Sequence, residues 1–364
     1  MEDLYYWIAL RLTFGIGNIN YKNLLNRFGS PEKIFSAHPE ELGNVEGVTA
    51  RTVESILNFK HRDEIDRELE LIANNELTII TFNSTAYPET LKYIYDPPPY
   101  LYVQGELKQE DMIAIAVVGS RYPSEYGKKT TEHITSALAA KGITIISGLA
   151  RGIDSCAHRA ALKRGGRTIA VLGCGIDVLY PPENKRLFAE IVASGAVVSE
   201  YPLGTEPSSY NFPARNRIIS GLSAGVLVTE ATQKSGSLIT ARLALEQGKD
   251  VFAVPGNIYS PKSRGTHDLI KSGAKLVENV ADILDEMPMA LTADDSIGEQ
   301  KIQAVPLLDA ETKKIFMLMD KETVHIDTLI EQSGLSSSHL SSILLNLELD
   351  GFIKQLPGKR FIRT

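Results

Sequence analysis

Apolar residues along this chain follow two rhythms. Five short, nearly uninterrupted runs, at 113–118, 143–147, 168–172, 225–229 and 250–254, alternate with stretches whose apolar positions recur at helical spacing. A run without polar alternation fits a strand buried on both faces, and strands alternating with helices predict a parallel sheet. The helical stretches run from Tyr126 to Lys141, Ile153 to Lys163 and Ser237 to Gln247, with two more opening at Tyr180–Pro181–Pro182 and at ARNRIISGL. ELTIITF and YLYVQGEL predict two further strands, the first at a sheet edge, separated by the stiff Asp96–Pro97–Pro98–Pro99. VVSEYPLGTEPSSYNFP reads as a Pro/Ser-rich loop, and THDLIKSG, AKLVE and NVADILDEM close the unit near 287.

On either side the pattern changes. Residues 1–60 read as short helices, one starting at Ser30–Pro31, where Ser suits the N-cap and Pro the first turn. The turns Phe14–Gly15–Ile16–Gly17–Asn18 and Val45–Glu46–Gly47–Val48–Thr49 resemble the G-h-G turn of helix-hairpin-helix modules. Glu46 and the run Glu64, Asp66, Glu68, Glu70 would repel a phosphate there, so packing or partner binding is expected of this part. Residues 288–305 are polar and unpatterned, a linker. From 306 to 364 three helical stretches precede a hairpin turning at Pro357–Gly358, the order of a winged helix. Its third helix offers His339, Ser341 and Ser342 at the start and no Lys or Arg before Lys354, which favours protein contacts or modulation over reading of a duplex. The expected domains are therefore 1–60 (helical), 61–287 (extended Rossmann-like α/β), 288–305 (linker) and 306–364 (winged helix).

Length and composition agree with this division. A chain of 364 residues, 43% hydrophobic and 23% charged, suits a globular protein of two or three domains. No apolar run approaches the roughly 20 residues that span a bilayer, and the acidic start MEDLYYW lacks a basic leader, so a cytoplasmic protein without membrane contact is expected. Cys156 and Cys174 are too few for a disulfide framework, and no metal or other cofactor is expected. The net charge of −7 hides an asymmetry: residues 113–230 hold 13 Lys and Arg against 9 Asp and Glu. Local sign governs anion binding, so the central segment is where a polyanion would go.

Three enzyme signals fail on context. Gly221–Leu222–Ser223–Ala224–Gly225 has the letters of a nucleophile elbow, but a helix precedes it and a strand follows. Gly173–Cys174–Gly175 is followed by Val178 where a dinucleotide fingerprint needs its third glycine, and Lys234 precedes its glycine instead of following a P-loop. Asp154 and His158, four apart on a helix, could exchange a proton. Without a nucleophile nearby, Asp154 as a cap of SGLARGID and His158 as a packed polar group fit better.

A phosphate cradle remains. Ligands of such sheets bind outside the carboxyl ends of the strands. Those ends and the adjoining helix starts carry Gly119–Ser120–Arg121, Ser147–Gly148 with Arg151, Lys185, Arg215–Asn216–Arg217 and Ser235–Gly236–Ser237. Pairing with Glu183, Glu200 or Glu230 could occupy one or two of the cations. Five cations exceed what a mononucleotide uses and suit a strand of several nucleotides, with Tyr180, Phe188 and Phe212 available for stacking.

Together GSR at 119–121, SGLARGID at 147–154, the HRAAL that begins at His158, AVLGCGIDVLYPPENKRLF at 170–188, SEYPLG at 199–204, FPARNRIISGLS at 212–223, EATQKSGSLIT at 230–240 and VFAVPG at 251–256 resemble the DprA/Smf family of bacterial DNA-processing proteins of natural transformation. The resemblance implies an extended Rossmann domain that binds single-stranded DNA without sequence preference, recruits a RecA-type recombinase and forms homodimers. It places DNA contacts on Arg121 and Lys185, with Phe188 as a matching aromatic, and carries over no enzymatic activity. The competing reading, a Rossmann enzyme that binds nucleotides or hydrolyses nucleoside phosphates, lacks a PGG-G-T-type loop. Regulation of transcription through the winged helix is a third.

Overall fold

The computed structural model describes residues 2–287 and, further on, 312, 315, 318–319, 324–349, 353–356 and 359–363. Six helices come first: α1 (Glu2–Leu12), α2 (Asn18–Phe28), α3 (Pro31–Phe35), α4 (Pro39–Gly43), α5 (Ala50–Leu57) and α6 (Arg62–Asn74). Strands β1 (Thr78–Thr81) and β2 (Tyr100–Gly105) flank a short α7 (Glu89–Lys92). Then β3 (Ala114–Val118), α8 (Glu125–Ala140), β4 (Thr144–Ser147), α9 (Ile153–Lys163), β5 (Thr168–Val171), α10 (Lys185–Ser194) and β6 (Ala196–Ser199) follow. After them come α11 (Asn211–Leu222), β7 (Gly225–Val228), α12 (Ser237–Glu246), β8 (Asp250–Ala253), α13 (Arg264–Lys271), β9 (Lys275–Leu276) and α14 (Ala281–Leu284).

The nine strands form one sheet in the order β1-β2-β6-β5-β4-β3-β7-β8-β9. It is parallel from β6 to β9, while β1 and β2 are antiparallel additions at the end where an edge strand is expected. Strands β3 to β6 run out in one direction and β7 to β9 in the other. The reversal places a crevice at the carboxyl ends of β3 and β7, the position where open α/β sheets bind ligands. The apolar runs are continuous because both faces are covered. Ile115 and Val117 pack with Ile134 and Leu138 of α8 and Ala157 of α9 on one side. Ala116 and Val118 pack with Ile218 and Leu222 of α11 and Ala241 of α12 on the other. Each such Ile, Leu or Val contributes about 1.5–3 kcal/mol relative to exposure.

β6 corrects the sequence reading, which extends a loop over Val197 to Ser199. All four of its residues are buried, between β2 and β5. The helices of residues 1–60 share a core with the sheet: Trp7, Tyr21 and Leu24 join one apolar cluster with Tyr100, Tyr102 and Leu172. The compact unit accordingly runs over Met1–Thr292, spanning both the 1–60 and the 61–287 segments. Glu68, from the acidic run, faces inward and accepts from Tyr102 Oη (2.6 Å) and Leu203 N (3.1 Å). Asn20 ties the two G-h-G turns together, donating through Nδ2 to the carbonyls of Gly15 (2.9 Å) and Gly47 (3.0 Å).

The second unit is Ala293–Thr364. It contains β10 (Val324–His325), α15 (Ile326–Ser333), α16 (Ser337–Leu349), β11 (Ile353–Leu356) and β12 (Arg360–Arg363), with a sheet in the order β10-β12-β11. Leu329, Leu340, Leu344 and Phe361 share its core, and Gly334 (φ 72°) ends α15 in the left-handed conformation. The expected linker at 288–305 and the expected turn at Pro357–Gly358 lie outside the described residues, as does most of the stretch ETKKIFMLMD, where the sequence predicts the first helix of this unit. Among the described residues no helix is long and apolar enough to cross a membrane.

Candidate nucleic-acid interface

The site is built on the turn after β3. Ser120 N donates to Glu230 O (2.8 Å), which joins the carboxyl end of β3 to that of β7. Ser120 Oγ accepts from Tyr122 N (3.1 Å) and so turns the chain, leaving Arg121 and Tyr122 exposed. The loop after β4 presses against this turn. Gly152, at φ 81°, precedes α9, and a Cβ there would lie 2.3 Å from Ser120 O. Both its backbone angle and its clearance demand glycine.

Arg121, Tyr122, Arg151, Tyr180, Phe212 and Arg215 line a small cavity of about 100 Å³ at this edge. The Arg121 guanidinium sits 5.5 Å from the centre of the Phe212 ring, a cation–π contact, and Tyr180 packs on the same ring at 5.6 Å. Arg151 pairs with Glu183 (Nη2 to Oε2, 3.2 Å) across an exposed gap. Hydrogen bonding to Arg151 holds the Glu183 carboxyl below its usual range. That pair brings the loop after β4 beside the turn Pro182–Asn184, which leads into the exposed Lys185 at the start of α10. The peptide Tyr180–Pro181 in this wall is cis. Burial pushes the Cys174 thiol in the cavity wall up to about 11, and both cysteines are free thiols.

Other predicted site residues are placed differently. Arg215 is buried at the base of the cavity, where it donates to the carbonyls of Gly148 (2.9 Å) and Val171. Asp154, also buried, accepts from Gly148 N (3.1 Å). Burial raises the Asp154 carboxyl above its ordinary range, and the positive charge of Arg215 opposes that rise. A Cβ on Gly148 would strike the Arg215 guanidinium at 2.6 Å. Arg215 is thus an internal brace under the loop. Arg217 is buried as well, held by Asp96 (2.8 Å) and Glu200. These pairs correct the expectation of five exposed cations: an arginine in a dry interior must be matched, and its partners come from distant parts of the chain.

Ser147 is likewise internal, its hydroxyl donating to Val117 O (2.6 Å) within the sheet. Gly119 is confined by α9, since a Cβ would meet Ile153 Cγ1 at 2.7 Å. Asn216, Ser235, Gly236 and Ser237 form their own group at the start of α12: Ser235 Oγ and Ser237 Oγ are 2.8 Å apart, and Asn216 Nδ2 reaches Gly236 O at 3.5 Å. None of the four lines the cavity. Phe188 is half-buried against the core shared with the N-terminal helices. His158 is fully buried, with Nδ1 2.7 Å from Thr168 Oγ1, and burial drives its imidazole down to about 3. Asp154 and His158 are therefore packed groups, as the capping reading anticipates. Tyr122 is the wall residue that spacing does not single out; its place directly after the arginine of the turn is the available signal. Among the described residues no group of three His, Cys, Asp or Glu is set to hold a metal ion.

Fold and site together define a Rossmann-like α/β binding protein whose cationic, aromatic mouth lies at the switch point of a parallel sheet. The family model for DNA recombination-mediator protein A matches residues 78–288, and that for the DprA winged helix domain matches 299–359. The chain is 36% identical to Protein Smf of Synechocystis sp. over 98% of both chains, and 42% identical to Protein Smf of Escherichia coli over 86% of this chain and 84% of that one. Among solved structures it resembles DNA processing protein A of Streptococcus pneumoniae (TM-score 0.66, 37% identity, 78% of this chain and 98% of that one). A second is DNA processing protein A of Helicobacter pylori, solved for its single-stranded DNA binding mode (TM-score 0.53, 33% identity, 60% and 97%). This chain belongs to the DprA/Smf family of DNA-processing proteins.

Proposed function

We propose that the protein binds single-stranded DNA without sequence preference at this mouth and delivers it to a RecA-type recombinase. In this reading it works as a homodimer in the cytoplasm and catalyses no turnover. The observation that carries the reading is Arg121, held over the Phe212 ring and lining, together with Arg151, a cavity of about 100 Å³. Guanidinium groups fix the backbone and carry no base information, while the faces of Tyr122, Tyr180 and Phe212 accept any base. The single-strand binding mode described for the Helicobacter pylori protein supports it by family.

With Arg215 and Arg217 internal, three cations remain for phosphate: Arg121, Arg151 and Lys185. The logarithm of affinity should fall with the logarithm of salt at a slope of about −2, from roughly −0.7 per phosphate on a single strand. The test is a competition of single-stranded against duplex DNA, wild type beside Arg121→Ala. Preference for the single strand, lost equally for all sequences in the variant, is expected. A salt-insensitive affinity, or release of base or ribose phosphate from nucleoside monophosphates, would refute the binding role. Recombinase loading is read as filament formation on a coated single strand, and dimerisation by sedimentation.

A further inference from the structure

The GSR turn borders a second and larger depression. A groove of about 690 Å³ runs between α8 and α9 from Arg121 and Tyr122, past Lys128 and Lys262, to Arg159 and Lys163. Its wall carries five cations and one carboxylate, Glu132. Lys128 and Lys163 are partly compensated, by Glu125 (2.7 Å) and Glu132 (3.0 Å). Lys262 Nζ donates to Tyr122 O (2.6 Å), which puts a positive charge under the tyrosine that separates the two depressions. Arg159 has one long contact, Nη2 to Asn184 Oδ1 at 3.4 Å, and is otherwise turned to solvent.

We infer that this groove is a second segment of the single-strand path, entered over Tyr122 from the mouth. The inference rests on the binding role proposed above and extends it to Arg159, Lys163 and Lys262, which lie outside the mouth. Size requires such an extension: about 100 Å³ at the mouth admits a phosphate, whereas sites for whole organic ligands measure about 300–1,000 Å³. Tyr122 is 74% exposed and lines both depressions, so a base stacked on it would lie between a phosphate on Arg121 and the next ones in the groove. An exposed Arg159 without an ion-pair partner among the described residues, beside ammonium groups and a single carboxylate, suits a flexible polyanion better than an apolar or cationic partner.

The experiment compares two fluorescent oligothymidylates, of about 4 and about 15 nucleotides, on the full chain. Arg159→Ala with Lys163→Ala should weaken the long one on the order of tenfold, reduce its salt slope by about 1.4, and leave the short one unchanged. Glu132→Gln, which unmasks Lys163, should tighten the long one by about threefold, a gain that misfolding cannot produce. Unaltered long-strand binding in the double variant, beside a wild type that binds both, overturns the groove alone. Equal loss on both lengths does the same. A wild type that binds neither overturns the mouth as well.

Discussion

Replacing Arg215 by Met separates an internal brace from a DNA contact. The side chain is buried and donates to the Gly148 and Val171 carbonyls, with the Asp154 carboxylate close by in the same dry loop. Met fills similar space but leaves two carbonyls and a buried carboxylate without their partner. Breaking one side of such a buried arrangement costs about 3–5 kcal/mol. For a unit of this size that is a fall in melting temperature of roughly 10 °C. Burial would then act on Asp154 without the opposing charge of Arg215, so adding Asp154→Asn should recover part of the loss. The assay is thermal and urea unfolding of both variants, with single-strand affinity measured where each is folded. Arg121→Ala, at an exposed position, should show the opposite profile: unchanged stability and weakened binding. Stability within about 1 kcal/mol of wild type in Arg215→Met, together with an affinity loss like that of Arg121→Ala, would refute the brace.

Three further outcomes follow from the same geometry. Gly152→Ala forces a side chain into a left-handed backbone 2.3 Å from Ser120 O, and should displace the turn, lowering both stability, by more than about 1 kcal/mol, and single-strand affinity. Glu183→Gln removes the carboxylate that competes with phosphate for Arg151 and should tighten single-strand binding by about twofold to fivefold, read by anisotropy titration. His158 has a folded value of about 3 against 6.5 in the unfolded chain, so the unfolded chain takes up a proton first. Its contribution is complete above pH 6.5 and is lost between 6.5 and 3 at up to about 1.4 kcal/mol per pH unit. Urea unfolding across that window should show a shallower slope in His158→Gln.

Much of the architecture follows from local rules. Continuous apolar runs such as IAIAVV and glycine-bearing turns declare parallel strands covered on both faces, and the GSR and SGLARGID turns locate the edge where a ligand binds. The exception among the strands is instructive: AVVS lies between a helix end and a Pro/Ser-rich loop, and its pairing with β2 and β5 depends on residues far along the chain, as Tyr102↔Ser199 on one side (97 apart) and Ile169↔Ala196 on the other (27 apart) make plain.

Which arginines face water was decided only by the tertiary fold. Arg215 and Arg217 belong to the same basic motif as any exposed pair would, and nothing local distinguishes them from Arg121 or Arg151. Their carboxylates, Asp154, Asp96 and Glu200, arrive from the first turn of α9, from the proline-rich connection before β2 and from the end of β6. A charge is driven inward only where such partners converge, and convergence is a property of packing that no stretch of sequence contains by itself.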